Sequence, residues 1–151
     1  MKTFLLILAL LILFLVNAKA QVNIVEISAS ALLDDKSTNN YSIKVYLDGQ
    51  LKDSLFCKKT KPTTISLESN KVYSIVFNKE NCPEKFVIVD TKVPIGLRAM
   101  AEDPFVLQVE LSPVLTSVKK ELHDYPVAIL RINKKEKSLM ASENYHNFTH
   151  N

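Results

Sequence analysis

The sequence predicts an all-β protein, an antiparallel β-sandwich of about seven or eight strands, and three observations predict it. Apolar residues recur with a period of two in short runs, the period of a strand with one face buried. Polar, turn-forming clusters separate the runs at short intervals, as in sandwiches. After the N-terminal segment, no helical periodicity extends beyond a couple of turns.

Residues 1–20 carry Lys2, an apolar run of 13 residues from Phe4 to Val16, and Ala18-Lys19-Ala20 with small residues at both positions a signal peptidase reads. This is the pattern of a secretory signal peptide cleaved between Ala20 and Gln21. The competing reading, a membrane anchor, needs about 20 apolar residues. The mature chain is then expected in the periplasm or outside the cell, with no stable membrane insertion. Loss of Lys2 and Lys19 takes the basic residues from 19 to 17 against 16 acidic ones, a formal charge of +1 in place of +3. Such a balance gives no electrostatic case for nucleic acid, and Lys58, Lys59 and Lys61 read as a solvated loop.

Residues 23–33 open the domain, with Val25, Ile27 and Ala29 on one face and Ile24, Glu26 and Ser28 on the other. The polar cluster from Asp34 to Asn40 ends this strand. Tyr41, Ile43, Val45 and Leu47 point inward in the next strand, and Ser42, Lys44 and Tyr46 outward. Asp48-Gly49 then predicts a two-residue hairpin turn with positive φ at both positions, so residues 51–57 return. Thr63, Ile65 and Leu67 share one face of a short strand. A hairpin follows, with Tyr73, Ile75 and Phe77 alternating with Ser74 and Val76, a break at 78–84, and Phe86 and Ile88 alternating with Val87 and Val89.

Pro94 and Gly96 mark residues 93–103 as a long connection, with a short helical turn at 97–101. Phe105 to Leu111 alternates again and stops at Pro113. Residues 125–132 read as a strand buried on both faces or as an edge piece, and 138–140 as a brief return. The domain is expected over 21–132, followed by a hairpin remnant and polar tail over 133–151.

The order of these signals resembles the carboxypeptidase-regulatory-like, transthyretin-like β-sandwich domain of secreted Bacteroidetes proteins, an architecture shared in outline with immunoglobulin-like sandwiches. The resemblance rests on Val45-Tyr46-Leu47-Asp48-Gly49-Gln50-Leu51, on Tyr73-Ser74-Ile75-Val76-Phe77-Asn78-Lys79, on Asp90-Thr91-Lys92 and on Tyr125-Pro126-Val127-Ala128-Ile129. It covers roughly residues 24–132 and implies a fold that hosts many functions. Where such domains show a Lys-x-Gly-aromatic corner, this chain has Lys79-Glu80-Asn81-Cys82. Asn is the non-glycine residue that best tolerates positive φ, so the corner is expected to survive.

Candidate chemistry is sparse. His123-Asp124 has the form of a carboxylate-oriented base, but no nucleophile motif such as Gly-x-Ser-x-Gly accompanies it, and a surface pair at a strand entrance is the simpler reading. His146 and His150 share a helical spacing without a carboxylate or thiolate set, so they read as a solvated tail, and no metal or other cofactor is expected. Asn40-Tyr41-Ser42 and Asn147-Phe148-Thr149 fit the N-glycosylation pattern, and Asp53-Ser54-Leu55 resembles an O-glycosylation acceptor of Bacteroidetes. Cys57 and Cys82 are expected to form a disulfide. Export favours it, two cysteines allow one intramolecular pairing, and both of their strands are read as finishing at one pole with the Thr63 strand between them. The function expected is a non-catalytic module that contacts an envelope protein or glycan. A small-ligand carrier, which needs an apolar cleft, is the alternative, and an enzyme using His123 is the third reading.

Overall fold

The computed structural model describes residues 24–94, 97, 103–113 and 125–142, all of them strand, turn or irregular segment. The signal segment, the 20/21 cleavage position, His123, His146, His150 and Asn147 lie outside these residues. Ten strands form two sheets: β1 (Ile24–Leu33), β2 (Lys36–Ser37), β3 (Tyr41–Leu47), β4 (Gln50–Cys57), β5 (Thr63–Glu68), β6 (Val72–Lys79), β7 (Lys85–Asp90), β8 (Phe105–Leu111), β9 (Ala128–Asn133) and β10 (Ser138–Ala141). The predicted all-β sandwich is what forms, with eight strands of six residues or more and two short ones, β2 and β10.

One sheet has β1 at its centre, paired with β5 and then β2 along one edge and with β8 along the other. The second sheet is six strands wide, in the order β10-β9-β7-β6-β3-β4. The core lies between them. Ile27, Ile43, Ile75, Phe77, Val87, Val89 and Leu111 are fully buried there, and burial of such side chains, at roughly 1.5–3 kcal/mol each, offsets the ordering of the backbone.

Local sequence dictates much of this. Asp48 and Gly49 both have positive φ (51° and 76°), so the β3–β4 hairpin turns as a primed turn must. Asp34 and Asp35 do the same (52° and 60°), so the polar cluster that ends β1 also folds β2 back against it, with Leu33 opposite Lys36. Asn81 sits at φ 61° in the β6–β7 turn, where the amide N–H of Cys82 donates to the carbonyl of Lys79 at 3.1 Å, so asparagine serves as glycine would.

Two features differ from expectation. Two pairings are parallel, β1 with β8 and β7 with β9, because the connections that precede β8 and β9 carry the chain across the sandwich before each strand. The 125–132 piece is neither an edge nor buried on both faces, since β9 lies between β7 and β10 and alternates, with Leu130 and Ile132 buried and Arg131 and Asn133 exposed. The return expected at 138–140 is β10, which pairs with β9 through Ala141, and its Leu139 is fully buried in the core.

Candidate functional site

Cys57 ends β4 directly opposite Tyr41 of β3, and Tyr41 is also opposite Lys79 of β6. Both cysteines therefore belong to one end of the six-stranded sheet, as expected. The strand between their elements is β3, however, whereas the Thr63 strand, β5, crosses to the other sheet. Two strand spacings hold the Cα of Cys57 and that of Lys79 roughly 10 Å apart. Cys82 lies one turn beyond Lys79, half-buried against the core, and both thiols are free, so the expected bridge is not formed in this structure. The Cys57 thiol instead donates to Thr63 Oγ1 at 3.7 Å. Among the described residues, the buried Tyr41 hydroxyl has no hydrogen-bond partner. Burial first, and the neighbouring Cys57 second, push its pKa from 10.0 up to about 12.

A cleft of about 340 Å³ opens on the side of the sandwich where β4 and β5 are the edge strands. This volume falls within the range of small-molecule sites. Its floor, however, is Val45, Ile65, Leu67 and Tyr73, none more than 5% exposed, so an apolar ligand would remove little further surface from water. Its rim includes Lys52, Asp53, Ser66, Glu68 and Lys71. Lys71 is paired with Glu68, whose hydrogen bond raises the lysine pKa. A second hollow of about 230 Å³ beside β8 falls below that range. Among the described residues, no group of three or more His, Cys, Asp or Glu side chains is placed to hold a metal ion, and no helix is long and apolar enough to cross a membrane.

The edge strand β4 carries two devices that discourage strand addition. Register shifts between Val45 and Tyr46, which pair with Asp53 and Leu51, so Lys52 is the extra residue of a β-bulge. The Asp53 carboxylate accepts the Ser54 N–H at 2.8 Å, occupying a donor of the strand. Of the three glycosylation-like patterns, the two within the described residues place Asn40 and Ser54 at exposed positions.

The two outer faces of the sandwich differ in kind. Outside the β1-centred sheet are Thr64, Ser66 and Glu68 of β5, Glu26, Ser28 and the buried Ser30 of β1, and Gln108 and Glu110 of β8, with Ile24, Leu32 and Val106 as the apolar residues among them. That is the usual wet face of a sheet. Outside the six-stranded sheet, the register sets Leu51, Tyr46, Ser74, Ile88 and Ile129 in one row and Val76 beside Phe86 in the next. Phe56, Val72, Val127 and Met140, at the margins, are each more than 40% exposed or close to it. The charged residues of this face are few: Lys44, and Asp90 with Arg131 at 3.9 Å.

Sequence reasoning did not single out this face. Its signal was present in β7, where all four residues from Phe86 to Val89 are apolar, but only the structure shows that Val87 and Val89 enter the core and that Phe86 and Ile88 turn outward. No protein-family model, curated protein or solved structure matches the chain.

Proposed function

We propose that this chain is a non-catalytic β-sandwich module that acts by protein contact, in the cell envelope or outside the cell, through the outer face of its six-stranded sheet. The observation that carries the reading is the contrast between the two outer faces: one is polar, while the other presents rows of aromatic and β-branched residues around Ser74 and Ile88. Apolar surface of this extent on one side of a domain marks a contact site. A glycan would need a set of polar groups converging on its hydroxyls, and this face offers few. The signal-peptide pattern of residues 1–20 supports the compartment, and the resemblance to secreted transthyretin-like sandwiches agrees with it. The covered floor of the cleft argues against a small-ligand carrier.

Photo-crosslinking tests the reading. A photoreactive residue at Ser74 is expected to give adducts with polypeptide, and one at Ser66, on the polar face, is not. Equal yields from the two positions, or adducts with carbohydrate alone, would overturn it.

A further inference from the structure

We infer that the occupant of this face is a second copy of the same chain, packed sheet to sheet about a two-fold axis; the inference rests on the protein-contact reading above. Three observations lead to it. The first is extent: six strands at about 4.8 Å spacing, crossed by rows spanning Val72 to Asn78, give a footprint of roughly 25 Å by 20 Å. That is roughly 500 Å² per partner, about 1,000 Å² in total, the lower bound for a specific interface, which suits a dimer that forms at micromolar concentration. The second is charge. Asp90 and Arg131 compensate each other within the face, and Lys44 sits near its β4 side, opposite Ser54. Selection of a different protein normally uses a one-signed or patterned charge field, and this face has none. Apart from Lys44 and small polar residues such as Ser42, Ser54 and Asn78, the rows are apolar; such a surface can meet a copy of itself, and the two-fold dimer is the symmetry that uses one patch twice.

The third observation is the composition of the rows. The outer residues Val76, Phe86, Ile88 and Ile129 are of the same aliphatic and aromatic kinds as the inner residues Ile75, Phe77, Val87 and Val89. The inner set already packs against a sheet in this protein, so the outer set is suited to the same face-to-face stacking about 10 Å apart. Edge-to-edge extension of the six-stranded sheet through β4 is disfavoured by the bulge at Lys52 and by Asp53.

Sedimentation equilibrium of the exported protein, combined with carbene footprinting of Phe86 and Ile88, tests the inference. The expected result is a dimer at micromolar concentration, footprints that weaken as the dimer forms, and a dissociation constant raised at least tenfold by Ser74→Arg. Ser74 lies between Tyr46 and Ile88, outside the core, and an unchanged circular-dichroism spectrum and melt would show that the variant folds. A dimer indifferent to Ser74→Arg would overturn the inference, because it would assemble elsewhere. A monomer with Phe86 and Ile88 open to the reagent would also overturn it and leave the contact-face reading standing. A monomer with both residues protected would sink the two together, since the chain would then cover its own face.

Discussion

The hydroxyl of Thr91 lies 2.8 Å from the carbonyl of Glu68, joining the residue that follows β7 to the last residue of β5 in the opposite sheet. The same hydroxyl lies 2.9 Å from the carbonyl of Lys71, and its oxygen accepts the Lys71 N–H at 3.0 Å. Backbone bonds from Asn70 N to Thr91 O and from Thr91 N to Lys71 O, both 2.8 Å, complete the join. A buried threonine thus satisfies the turn that carries the chain from one sheet to the other. Thr91→Val keeps the shape and strands the Lys71 N–H and the Glu68 carbonyl. The expected cost is about 2 kcal/mol, a fall of roughly 8 °C in Tm for a domain of this size. A thermal melt of the variant checks it, and an unchanged Tm would remove Thr91 from this role.

Among the described residues the buried Tyr41 hydroxyl finds no partner, so Tyr41→Phe is expected to be neutral or slightly stabilising at pH 7. The alkaline limb is the sharper readout. An acid whose pKa is higher in the folded chain holds its proton more tightly there, so its contribution is intact below the unfolded value of 10.0 and is lost as the pH rises towards about 12. Denaturant midpoints measured between pH 9 and 12 should fall less steeply in the phenylalanine variant than in the parent. Parallel curves would contradict the assignment.

At φ 61°, Asn81 occupies the left-handed region. Asn81→Gly should hold or raise stability by a few tenths of a kcal/mol, whereas Asn81→Val should cost about 1–2 kcal/mol, because a β-branched side chain crowds its own backbone there. Equilibrium unfolding of the pair gives the difference directly. Equal stabilities would show that the turn relaxes to another conformation.

Cys57 is 6% exposed and Cys82 is half-buried, both as thiols. A thiol reagent is expected to label Cys82 slowly in the native protein and Cys57 only on unfolding. Two labels should be incorporated in denaturant without reductant. Labelling that required a reductant would show a disulfide between them, and would require the two ends of β4 and β6 to approach more closely than β3 allows here.

Much of this molecule was fixed by residues acting on their own neighbours. The inward set of β3, the Asp48-Gly49 turn, the left-handed Asn81 and the strand at Phe105 to Leu111 follow from a period of two or from the φ a single residue tolerates, and both are local properties. What the tertiary structure decided is non-local. Period two says that Phe86 and Val87 face opposite ways, not which of them meets the other sheet. That choice follows from the pairing of Val87 with Ile75, which places it on the face that β6 turns toward the core. The same holds for β5, whose alternating Thr63, Ile65 and Leu67 suit either sheet until it pairs with β1, and that placement put β3 between the two cysteine-bearing elements. It holds also for Thr91, noted in the sequence only as part of Asp90-Thr91-Lys92, whose hydroxyl finds its partners twenty and twenty-three residues away only once the sheets are stacked. The apolar outer face belongs to the same class, because its rows come from five different strands and exist only after register has aligned them.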